Sequence, residues 1–117
     1  MIGPIDHVYY WTRDMDVSVA FYRDVVGLTL VRRDGNEWAE FEAGPIRLAL
    51  HGSGERPASG AGTVVFRVED LDGTRWVLEQ RGASFEDHLG EVEGFARFAT
   101  FHDPDGNPLQ IIEYRSG

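Results

Sequence analysis

Two kinds of hydrophobic spacing alternate along this chain, and the alternation runs twice. Residues 5–11 (IDHVYYW) are aromatic and β-branched, with polar Asp6 and His7 near the start, which predicts a strand. Over 17–26 the apolar spacing becomes helical, and Val17, Ala20, Phe21 and Val25 make one buried face. Asp14 and Asp16 are its N-cap candidates and Gly27 its closing residue. Residues 28–33 and 38–42 read as strands around the turn Asp34-Gly35-Asn36, and 46–51 as the next strand. Residues 52–62 (GSGERPASGAG) interrupt the pattern as a connector. The order then restarts. A strand over 63–69 precedes a helix over 71–81, capped by Asp70 and Asp72 and closed by Gly82. A short strand over 83–87, a Gly-containing loop and a longer strand over 95–101 follow. The turn Asp103-Pro104-Asp105-Gly106-Asn107-Pro108 leads into a last apolar strand over 109–114.

This is an internal repeat in which each half reads βαβββ. Asp14-Met15-Asp16 answers Asp70-Leu71-Asp72 at an offset of 56, and Gly27 answers Gly82 at 55. Pro45 answers Pro108 at 63, the extra residues falling in the second half's longer loop. The expected fold is α+β: two βαβββ modules forming a curved, U-shaped mixed sheet around a cavity, helices outside. The chain is then a single domain of two pseudo-repeats, 1–51 and 63–117, joined by 52–62. The period of two assigns the faces. Val8 and Tyr10 share the helix side, which leaves His7, Tyr9 and Trp11 toward the cavity. Val64, Phe66 and Val68 pack on a helix, which leaves Thr63, Val65 and Arg67 inward. Arg47 and Gln110 also point inward, and Glu113 points away. A one-residue slip in register would exchange the faces.

Composition removes several function classes. A formal charge of −9 opposes nucleic acid and anionic membrane surfaces, which select Lys and Arg. The absence of Cys removes disulfides, thiolate ligands and Cys nucleophiles. No apolar run approaches the roughly 20 residues of a membrane span. Met1 to His7 lacks the basic and apolar regions of a secretory signal, so the cytoplasm is the expected location.

The chain resembles the vicinal oxygen chelate superfamily: glyoxalase I, extradiol dioxygenases, and fosfomycin- and bleomycin-resistance proteins. The resemblance is carried by Asp6-His7-Val8, by Ala20-Phe21-Tyr22-Arg23-Asp24-Val25-Val26-Gly27-Leu28, and by Asp103-Pro104-Asp105-Gly106-Asn107-Pro108. It covers nearly the whole chain and implies the two-module fold, usually in a homodimer. In the superfamily's enzymes it implies one divalent metal, such as Zn, Ni, Mn or Fe, held by four side chains. Those positions fall here on His7, Arg47, Thr63 and Gln110. His7 suits a metal. Arg47 is a permanent cation that would repel one, and Thr63 and a neutral Gln110 are weak donors. The expectation is therefore no metal cofactor. A slip in strand 46–51 would bring in His51, making His7, His51 and Gln110 the alternative ligand set.

Two functions follow. The first, and the expectation, is a metal-independent binder of an aromatic or anionic small molecule. Tyr9, Trp11 and Trp38 would supply ring contacts, Arg47 and Arg67 charge-assisted bonds, and His7, Thr63 and Gln110 the rest of the lining. The second is a glyoxalase- or dioxygenase-like enzyme with His7 as ligand or general base. The aromatic residues read equally well as core, and His51, His88 and His102 read as solvated.

Overall fold

The computed structural model describes residues 6–53 and 62–115. The chain divides into two compact units, Met1–Gly60 and Ala61–Gly117. Each is a βαβββ module with a four-stranded mixed sheet, so the class is α+β. Most of the expected connector, along with Ile5, lies outside the described residues.

The first unit runs β1 (His7–Thr12), α1 (Met15–Ala20), a π-wound continuation (Phe21–Val26), β2 (Leu30–Asp34), β3 (Trp38–Ala43) and β4 (Ile46–Gly52). Its strand order is β1-β4-β3-β2, with β1 parallel to β4 and the other pairs antiparallel. Asp14 starts the helix: its carboxylate accepts the Val17 amide at 3.2 Å, satisfying an otherwise unpaired first-turn donor. Gly27, at φ 90°, ends it, and the Gly27 and Leu28 amides both donate to the Tyr22 carbonyl.

The helix buries a different stripe from the one the spacing suggests. Met15, Ser18, Val19 and Tyr22 are buried, whereas Val17 is 48% exposed. The physical reason is what stands opposite. Ser18 Oγ meets Thr12 Oγ1 at 2.6 Å in a buried hydroxyl pair, and Tyr22 lies fully buried with its ring 5.8 Å from that of Phe41. Ala39, Phe41, Leu48 and Leu50 complete this core.

The second unit runs β5 (Val64–Arg67), α2 (Leu71–Gln80), β6 (Phe85–Val92), β7 (Ala96–His102) and β8 (Pro108–Tyr114). Its order, β5-β8-β7-β6 with β5 parallel to β8, repeats that of the first unit. Asp70 caps α2 by accepting the Gly73 amide at 3.2 Å. Glu113 of β8 reinforces the same end. It accepts the Leu71 amide at 2.8 Å, while Arg97 bridges Glu113 at 3.1 Å and Asp72 at 3.5 Å. The Leu71 amide first, then Arg97, hold the Glu113 carboxyl below its usual range against partial burial.

Strand β6 is longer than the expected 83–87 and takes in residues expected to be loop. Of the two glycines in the stretch that reads as loop, Gly94 sits in the turn after β6 at φ 73°, whereas Gly90 lies within β6, where its role is close approach. The Phe98 ring lies across it, so that a Cβ there would collide with the ring. Pairing of Leu89 with Ala99 and of Gly90 with Phe98 carries the strand through this point. Among the described residues, no helix is long and apolar enough to cross a membrane.

Candidate functional site

One face of each sheet is taken by its helix, and the other face of the first unit's sheet collects the chemistry. Strand register puts His7 opposite Arg47, Tyr9 opposite Ala49 and Trp11 opposite His51. On the other side of β4, Trp38 lies opposite His51, Glu40 opposite Ala49 and Glu42 opposite Arg47. Alternation along β1, β3 and β4 therefore brings all of these to one surface.

The rings on this surface form a connected cluster. Trp38 stands edge-on to His7 at 5.5 Å and to His51 at 5.6 Å between centroids. Tyr9 lies 6.1 Å from Trp38, 5.9 Å from His51 and 5.7 Å from Trp11. Trp11 and His51 are closest, at 4.3 Å. Ala49, fully buried in the middle, is small enough for its larger neighbours to converge over it. Tyr9 is nevertheless 47% exposed, so the cluster is a surface open to a ligand.

Glu40 ties the cluster to its charges. The Trp38 indole Nε1–H donates to Oε2 at 2.7 Å, and Arg47 Nη1 donates to Oε1 at 3.0 Å. The indole bond, opposed by burial and helped by Arg47, holds the Glu40 carboxyl below the usual carboxylate range. Glu40 is the site residue that the sequence reading missed. Its signal was present: it lies two positions from Trp38 and so shares its face.

Both histidines are oriented by acceptors. His7 Nδ1 is 2.8 Å from Asp6 Oδ2, and His51 Nδ1 is 3.0 Å from the Gly52 carbonyl. A carboxylate or carbonyl oxygen only accepts, so each Nδ1 carries a proton and each Nε2 is left available.

The other expected residues belong to the second unit. Arg67 stacks over Tyr114 at 5.0 Å. Gln110 lies opposite Val65 in register, and its Nε2 donates to Thr100 Oγ1 at 3.1 Å. Thr63 precedes β5 and lies outside it. His88 is exposed on β6, and His102 lies 3.4 Å from Glu86. A cavity of about 310 Å³ at the C-terminal end of β1, with Thr12, Asp14, Asp16 and Asn36 in its wall, contains neither an imidazole nor a ring.

The residues at the metal positions do not suit a dication. Arg47, directly opposite His7, brings a guanidinium where a ligand would be needed. His51 lies four residues along the same register from His7, a backbone offset of roughly 13 Å at about 3.3 Å per residue, and the Trp38 ring stands edge-on to both imidazoles, whereas metal–imidazole bonds are about 2 Å. The register thus does not bring His7 and His51 to one ion. Among the described residues, no three His, Asp or Glu side chains converge in a way that could hold a metal.

The chain matches the family model Glyoxalase/Bleomycin resistance protein/Dioxygenase superfamily over residues 4–111. It is 32% identical to the uncharacterized protein YaeR of Escherichia coli K12, covering 93% of this chain and 95% of that one. It is 26% identical to a lactoylglutathione lyase of Haemophilus influenzae, covering 94% and 92%. The crystal structure of a lactoylglutathione lyase from Agrobacterium tumefaciens shares the fold with a TM-score of 0.80, at 23% identity over 97% of this chain and 95% of that one.

Proposed function

Since the chain belongs to the Glyoxalase/Bleomycin resistance protein/Dioxygenase superfamily, we propose that it binds a small, flat aromatic compound on the open face of β1, β3 and β4, without a metal ion. The observation that carries this reading is the connected cluster of His7, Tyr9, Trp11, Trp38 and His51, fastened at Trp38 by Glu40. Offset or edge-on ring contact with such a surface contributes about 0.5–1.5 kcal/mol per pair beyond the area buried. A fixed Trp38 loses little freedom on binding, so more of that gain appears as affinity.

The test is quenching of tryptophan fluorescence by 2-naphthol in a Trp76→Phe background. Trp76 is 62% exposed on α2 of the second unit and would otherwise add its own emission to the signal. Saturable quenching is expected, with about tenfold weaker binding after Trp38→Ala. Elemental analysis after incubation with Zn, Ni, Mn and anaerobic Fe(II), then desalting, should find no stoichiometric metal. An equivalent of metal lost on His7→Ala would overturn the metal-free reading.

A second reading rests on the Asp6–His7 contact at 2.8 Å, which leaves His7 Nε2 placed as a general base over the cluster. In that case the bound compound is a substrate, and turnover would be lost on His7→Gln while binding is kept.

The assembly we propose is a homodimer. β1 and β2, and β5 and β6, are the outer strands of their sheets, and an outer strand is where a second copy of the chain can pair. Sedimentation of dilute protein at the chain mass of 13.1 kDa would overturn it.

A further inference from the structure

We propose that the compound this face selects is a flat cation: an aromatic or heteroaromatic ring bearing a quaternary or protonated nitrogen. The inference rests on the aromatic-binding reading above and adds the sign of the charge. The faces of Trp and Tyr rings carry the negative part of the ring quadrupole and attract cations. The charged groups on the same surface point the same way.

By register, Arg32 and Arg47 share this face with Asp34, Glu40 and Glu42. Two guanidiniums therefore meet three carboxylates, leaving one excess negative charge. Arg32 is paired with Asp34 at 2.7 Å, and Arg47 with Glu40 at 3.0 Å. Glu42 is the strand neighbour of Arg47 and makes no ion pair among the described residues.

An incoming carboxylate would have to draw Arg47 away from Glu40 and then lie beside the carboxylate it displaced. An incoming cation meets the rings and the field of Glu40 and Glu42 with nothing to displace. Glu40 is thus the specificity-determining residue. One oxygen fixes the indole and the other cancels the guanidinium, so the uncompensated charge facing the ligand is that of Glu42. Only 19% of the Glu40 side-chain surface is exposed, so water screens its hold on Arg47 less than it would on an open surface.

The test compares three two-ring probes by equilibrium dialysis: N-methylquinolinium, 2-naphthoate and neutral 2-naphthol. Wild-type protein should bind the cation about tenfold or more tightly than the anion. Glu40→Gln keeps an acceptor for the indole but removes the charge and releases Arg47. It should bring the two affinities within about threefold or reverse their order. Glu42→Gln, an exposed change that tests the same field if the Glu40 variant folds poorly, should shift the ratio in the same direction.

If 2-naphthol binds and naphthoate equals or exceeds the cation, the aromatic-binding reading survives and this inference is overturned. A cation-to-anion ratio unmoved by both variants also overturns it. If none of the probes binds, both readings fall together.

Discussion

Asp103→Ala should lower the melting temperature by about 10–15 °C. Asp103 is 5% exposed, and its carboxylate organises the turn before β8. Oδ1 accepts the amides of Asp105 at 2.9 Å and Asn107 at 2.8 Å, and Oδ2 accepts the Asn107 side-chain amide at 2.9 Å. Asn107, which supplies two of the three donors, is fully buried. A hydrogen bond is worth about 1 kcal/mol net, so the three set the expected loss at about 3 kcal/mol. Each kcal/mol is worth about 4–5 °C in a domain of this size. Asp103→Asn keeps one acceptor oxygen and should lose about half as much. Circular dichroism melts of the three proteins check this. An Asp103→Ala melt within about 2 °C of wild type would mean that the turn is held by its backbone bonds alone.

Phe41→Ala should cost about 3–5 kcal/mol, the range for a large aromatic removed from a core. Phe41 is fully buried, its ring packs on Tyr22, and Ala39 and Leu48 beside it have no surface to rearrange into. Trp38, three positions earlier on the same strand, supplies the contrast. It sits on the open face and is half-buried, so Trp38→Ala should lose less than half the stability lost at Phe41 while abolishing most of the binding. Urea titration measures both. Equal losses at the two positions would mean that the faces of β3 are not the ones described, and the ring cluster would then be core.

Much of the fold is legible in local sequence rules. Helix starts follow from Asp14 and Asp70, because a short carboxylate next to unpaired first-turn amides has an obvious partner. The repeat and the sharing of one face by His7, Tyr9 and Trp11 follow from spacing. A strand's period of two leaves only two choices of face. The turn at Asp103 is equally local, because the bonds from the Asp103 carboxylate to Asp105 and Asn107 span four residues or fewer.

What the tertiary structure alone decided are the choices between locally equivalent answers. On α1 the stripe of Val17, Ala20, Phe21 and Val25 and the stripe of Met15, Ser18, Val19 and Tyr22 both have helical spacing. Only the Thr12 hydroxyl and the Phe41 ring opposite select the second. Gly90 reads as part of a loop until Phe98, eight positions away, is laid across it. The role of Glu40 had the same character. Its position on the face of Trp38 was readable, but its two bonds join the Trp38 indole to a guanidinium on the neighbouring strand. Alternation assigns a side chain to a face. The partner it meets there depends on the register between strands, which is set by the packing of the whole sheet against its helix.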